Sequence, residues 1–110
     1  MTGARISPSR FSELTESNFN TNNTSTVSAS LDIKDNKWVA WGAKQTSGGH
    51  STHIITLQQS LDNSTWVNTA STLTGTGIVN NIQITTRYVR LAVTTAEGSA
   101  SIVSIVIHGK

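Results

Sequence analysis

Tyr88-Val-Arg-Leu-Ala-Val-Thr94 alternates side chains so that Val89, Leu91 and Val93 fall on one side and Tyr88 and Arg90 on the other. A period of two is the pleat of a β-strand with one buried face. In the segment before it, Ile78, Ile82 and Ile84 share a face by the same count. Working outward in both directions, similar runs predict strands near residues 27–33, 38–44, 53–60, 65–72, 78–85, 88–94 and 100–108. Between them stand Asp35-Asn36, Ser47-Gly48-Gly49, Asp62-Asn63, Gly75-Thr76-Gly77, Thr86-Arg87 and Glu97-Gly98, each with turn chemistry. Short strands at this spacing, with no helical period between them, predict an all-β antiparallel sandwich of the jelly-roll kind.

Composition agrees. Thr, Ile and Val supply 35 of 110 residues, and β-branched side chains suit a half-buried pleated surface. Ser, Thr and Asn supply 41, while only 13% are charged, so the surface is neutral and polar. There is no cysteine, hence no disulfide framework and no thiol chemistry. The net charge of +2 is spread along the chain, five positives and four negatives to residue 55, three and two beyond. Phosphate-backbone binding needs a basic stripe, so nucleic acid is not an expected partner. Nor is a membrane, because no apolar run approaches a span and the N-terminus lacks a signal-like stretch.

Residues 1–26 differ from the rest. They hold fourteen Ser, Thr and Asn but only Ile6, Phe11, Leu14 and Phe19 of the large aliphatic and Phe class, against 22 such residues in 27–110. The chain is therefore expected to divide into an N-terminal arm, 1–26, and a sandwich domain, 27–110. The arm either stays unordered or docks Phe11, Leu14 and Phe19 on a neighbour, with Phe11 and Leu14 on one face of a helical turn. The last strand is apolar on both sides: Val103, Ile105 and Ile107 face one way, Ile102 and Val106 the other. Such a strand is either central and covered by the arm, or lies at a subunit contact.

A weak repeat is also present. Ser30-Leu-Asp32 precedes Trp38-Val39, and Ser60-Leu-Asp62 precedes Trp66-Val67. Two matched hairpins would produce it, as would an old duplication.

Catalysis needs a converging nucleophile, base and charge stabiliser, and none is legible. Asp32, Asp35 and Asp62 read as turn residues bonding nearby amides, and they lack the loop pattern of a calcium site. His50 and His53 bracket a strand start at a spacing that points them to opposite faces, and His108 ends the last strand. Rim positions suit all three, with a metal on an oligomer axis as the alternative. No cofactor is expected. Trp38 and Trp41 lie on opposite faces of one strand, so one of them is open to a protein or glycan contact, with Arg90 as a polar partner.

Two motifs carry a resemblance. Ile55-Thr-Leu-Gln-Gln-Ser-Leu-Asp-Asn-Ser-Thr-Trp66, followed by Thr86-Arg-Tyr-Val-Arg-Leu91 and Val103-Ser-Ile-Val-Ile-His-Gly109, resembles the second half of discoidin-like (coagulation factor 5/8 C-type) domains. Similar strings occur in small Ser/Thr-rich structural proteins of tailed phages. The likeness spans residues 53–109. It implies that Trp66 and Leu91 pack the core and that Arg87 and Arg90 brace strands or a rim. Asn63 stands where that family usually has Gly, and the first half lacks its length, cysteines and ligand-loop aromatics, so no ligand residue carries over.

The expected function is therefore a non-enzymatic virion structural protein, a decoration or cement protein of a tailed-phage capsid made in the host cytoplasm. Its expected partners are copies of itself, as a trimer through Ile102, Val106 and the arm, and the major capsid or other virion proteins. The alternative is a carbohydrate-binding module using Trp38 or Trp41 and Arg90.

Overall fold

A computed structural model describes residues 12–34, 37–48 and 52–110. Its strands are β1 (Ser12–Asn20), β2 (Leu31–Asp32), β3 (Trp38–Gly48), β4 (Ile54–Ser60), β5 (Val67–Leu73), β6 (Gly77–Gln83), β7 (Tyr88–Thr95) and β8 (Ser101–Gly109). They form two antiparallel four-stranded sheets: β1-β8-β3-β6, called sheet A, and β2-β7-β4-β5, called sheet B. That order is a jelly roll, in which nearly every connection crosses between sheets.

The inward faces meet in one core. Val89, Leu91 and Val93 of β7 are buried as their alternation requires, as are Ile55 and Leu57 of β4 and Val103, Ile105 and Ile107 of β8. Trp41 and Phe19 are the largest side chains sealed among them.

The expected N-terminal arm is corrected from Ser12 onward. Residues 12–20 enter sheet A as its edge strand, paired with β8 from Ser12↔Gly109 to Asn20↔Ile102. A bulge between Glu16 and Phe19 breaks the strand's alternation. Leu14 and Phe19 are an odd number apart and could not share a face in a regular strand; the extra residue turns Phe19 inward. Leu14 thus lies in a strand and not in a helical turn.

A second bulge corrects the face proposed for β6. Val39 pairs with Ile82 but Trp41 with Val79, so β6 advances three residues while β3 advances two. Ile82 and Ile84 remain inward; beyond the bulge Val79 takes the inner side and Ile78 is turned out, 75% exposed.

The expected strand over 27–33 contracts to Leu31–Asp32 plus a single bridge, Val27↔Ala92. Ser28 is the reason. Its hydroxyl accepts the Leu91 N–H at 2.9 Å, taking a bond that a ladder would give to a main-chain carbonyl. The matched hairpins also resolve unequally: β4–β5 is a hairpin in sheet B, whereas β2–β3 crosses from sheet B to sheet A. The shared chemistry is the Asp-headed turn. Asp32 Oδ1 accepts the Lys34 N–H, Asp62 Oδ1 accepts those of Ser64 and Thr65, and Lys34 and Asn63 adopt positive φ, 55° and 64°. Asn tolerates that conformation better than most residues, which is why it can stand at position 63.

Candidate functional site

Three features of the described residues hold chemistry or contact surface. The first is a buried polar cluster at the end of the sandwich where β4 and β8 begin. His53 falls in phase with Ile55 and Leu57, so it enters the interior and is fully buried. Its Nδ1 lies 2.7 Å from Glu97 Oε1, and its Nε2 accepts the Gly75 N–H at 2.9 Å. An acceptor role at Nε2 places the ring proton on Nδ1, which donates to the carboxylate. Glu97 Oε1 also accepts the His53 and Thr52 amides, and Oε2 the Thr52 hydroxyl. Burial opposes ionisation of Glu97, yet these four hydrogen bonds outweigh it and hold the carboxyl at about 2.

The pair resembles a catalytic dyad in composition only. A general base needs an imidazole nitrogen open to substrate, and here the Nε2 lone pair is engaged by the Gly75 amide. What the cluster does is tie chain segments together: Thr74 donates to the His53 carbonyl, and the Glu97 amide donates to the carbonyl of fully buried Thr21. The expectation of a rim histidine at position 53 is thereby corrected. Its in-phase spacing with Ile55 and Leu57 was the signal; no sequence pattern named Glu97 as its partner.

The second feature lies on the outer side of sheet B. Arg90 stacks on Trp66, 4.4 Å from the ring centre, and donates through Nε to Gln58 Oε1 at 2.7 Å. Gln58 in turn donates to Asn68 Oδ1 at 2.9 Å, across three adjacent strands in register. Leu91 is in the core, but Trp66 is only partly buried and outside it, under the Arg90 guanidinium. Arg87 spans the rim to Asp32 with two bonds, Nε to Oδ1 at 2.9 Å and Nη2 to Oδ2 at 2.8 Å. The guanidinium holds the Asp32 carboxyl below its ordinary range.

The third is the outer face of sheet A. Ile78, Gly42, Val106 and Thr15 lie side by side across its four strands. Gly42 has no side chain to stand between Ile78 and Val106. Trp38, 43% exposed, begins the same face beside Gln83, and Ile102 ends it beside Asn20.

Of the residues expected to make oligomer or lattice contacts, Ile102 and Val106 are half-buried on this face. Leu14 packs partly against the core, and Phe19 is sealed in it, so Phe19 offers nothing to a neighbour. Phe11 and His50 lie outside the described residues. Trp41 is corrected as a glycan platform: it is 1% exposed, with its indole N–H donated to Ser71 Oγ at 2.7 Å. Arg90 already has Trp66 and Gln58 as partners. His108 stands on the outer face of β8, 3.5 Å from Glu13. Among the described residues no three metal-ligating side chains are grouped.

Compared with protein-family models, curated proteins and solved structures, the chain matches none, and nothing identifies a discoidin-like domain in it.

Proposed function

We propose that this chain is a non-enzymatic structural protein of a tailed-phage virion, a decoration module that adheres through the outer face of sheet A. The observation that carries the contact surface is the row Ile78, Gly42 and Val106, apolar across three strands, with Ile78 75% exposed. A soluble sandwich normally alternates apolar inside with polar outside. A patch that departs from this, on a side with no covering layer among the described residues, is the kind used for protein contact. The occupant proposed is a second copy of the chain, in a trimer, with the remaining surface set against the capsid. The phage setting rests on the motif resemblance of residues 53–109, and adhesion by burial needs no catalytic group.

The test is the oligomeric state together with particle binding. Wild type is expected to sediment as a trimer and to copurify with assembled particles. Ile78→Lys should give a folded monomer with the wild-type circular dichroism spectrum, because in the single chain that side chain is 75% exposed, and its melting temperature should fall only by what assembly contributes. A wild-type monomer at high micromolar concentration that also fails to bind particles overturns the reading.

A further inference from the structure

At the end of the sandwich opposite the His53 cluster, two crossovers run side by side. The segment from β2 to β3 climbs from sheet B to sheet A, and the segment from β6 to β7 returns. Main-chain bonds clamp them: the Ile33 amide donates to the Arg87 carbonyl at 2.8 Å, and the Ile84 amide to the Lys37 carbonyl at 2.8 Å. Both isoleucines are buried beneath. Above them opens a groove of about 460 Å³, lined by Lys34, Lys37, Gln83, Ile84, Thr85, Thr86 and Arg87.

The lining is chemically one-sided. Three of the chain's eight Lys and Arg converge on it, and no carboxylate lines it among the described residues. Asp32 faces it indirectly, through its paired bonds to Arg87, and by sequence Asp35 belongs to the same crossover but lies outside the described residues. Among the described residues, three cations stand against one nearby acid, Asp32. The Arg87 guanidinium is held in place by Asp32 and by the Tyr88 ring, 5.4 Å away. Thr85, Thr86 and Gln83 add hydroxyl and amide groups, and Gln83 is the register partner of half-exposed Trp38.

We infer that this groove binds an acidic glycan, with one sulfate or carboxylate between Lys34, Lys37 and Arg87 and the sugar hydroxyls toward Thr85, Thr86 and Gln83. Hydroxyl and amide groups match sugar hydroxyls. A polynucleotide would need a longer basic track than these three cations make. The inference does not rest on the contact function of sheet A.

The test is calorimetric titration of the whole chain with a sulfated heparin tetrasaccharide, its desulfated counterpart, inorganic sulfate and a short single-stranded oligonucleotide. The sulfated sugar is expected to bind, more weakly as salt is raised, with sulfate competing and the desulfated sugar inert. Lys34→Asn combined with Lys37→Gln should weaken it about tenfold without changing the melting temperature, since both side chains are exposed. Asn keeps the positive φ at position 34. Failure of the sulfated sugar to bind, equal affinity in the double variant, or equally tight binding of the oligonucleotide would each overturn the assignment.

Discussion

His53 and Glu97, 44 residues apart in sequence, meet at 2.7 Å in the interior, where the imidazole donates to the carboxylate and is itself bonded from behind by the Gly75 amide. The Glu97 carboxyl is held at about 2 in the folded chain, from an ordinary 4.5. A depressed carboxyl contributes stability that is complete above its unfolded value and is lost as pH falls toward the folded one. The difference in unfolding free energy between wild type and Glu97→Gln should therefore be constant above about pH 4.5 and shrink on acidification toward about pH 2. Urea titrations across that window measure it; an unchanging difference would show that the pair does not stabilise the fold by charge.

Replacing His53 by Phe keeps a planar ring but leaves the Gly75 N–H without its acceptor and Glu97 without its imidazole donor. A buried amide left so costs about 1–3 kcal/mol. The urea midpoint should fall with an unchanged slope, and amide exchange at Gly75 should accelerate.

Trp41→Phe removes the indole donor to Ser71, a contact joining β3 to β5 across the sandwich. The Ser71 hydroxyl is buried and loses a partner, so a loss of about 1–2 kcal/mol is expected. Trp41→Phe with Ser71→Ala should recover part of it, which a double-mutant cycle reads directly.

Arg90→Ala uncovers Trp66. The expected result is a red shift of tryptophan emission with a loss of about 1 kcal/mol, from the stack and from the stem packed beside it. Arg90→Lys should restore less than half, because an ammonium cannot lie flat on the ring.

Gly48 closes the β3–β8 pairing at φ 81°, where an added Cβ would stand 1.9 Å from the Ala100 carbonyl oxygen. Gly48→Ala should destabilise by more than about 1 kcal/mol, since the left-handed conformation alone costs that much for an L-residue. Gly98→Ala is the control. A Cβ there meets nothing within 4 Å, and its melting curve should match wild type.

The jelly roll was legible because β4, β7 and β8 each carry an alternating apolar run on one face: Ile55 and Leu57, then Val89, Leu91 and Val93, then Val103, Ile105 and Ile107. Where the pattern breaks, so did the reading. The bulges in β1 and β6 change phase mid-strand, hiding Phe19 as a core residue and turning Ile78 outward. Ser28 and Glu97 were misread for another reason. A Ser whose hydroxyl replaces a ladder bond looks, in sequence, like an ordinary strand residue, and a Glu that reaches back to a histidine looks like an ordinary turn residue. The outer face of sheet A was half legible: Ile102 and Val106 mark it, but Ile78 joins them only through the bulge and through the missing side chain at Gly42. The groove was not legible, since Lys34, Lys37 and Arg87 converge only once the two crossovers lie side by side.

The pairing of β1 with β8 sets a condition on biosynthesis. β8 is the inner strand between β1 and β3, so sheet A has no middle until residues 101–109 have left the ribosome. Until then β1 waits without its hydrogen-bonding neighbour, and Phe19 without the pocket that receives it. Folding should begin only once synthesis has passed Gly109, and should then be slow for a chain of this size, because the contact that closes the sheet spans almost all of it.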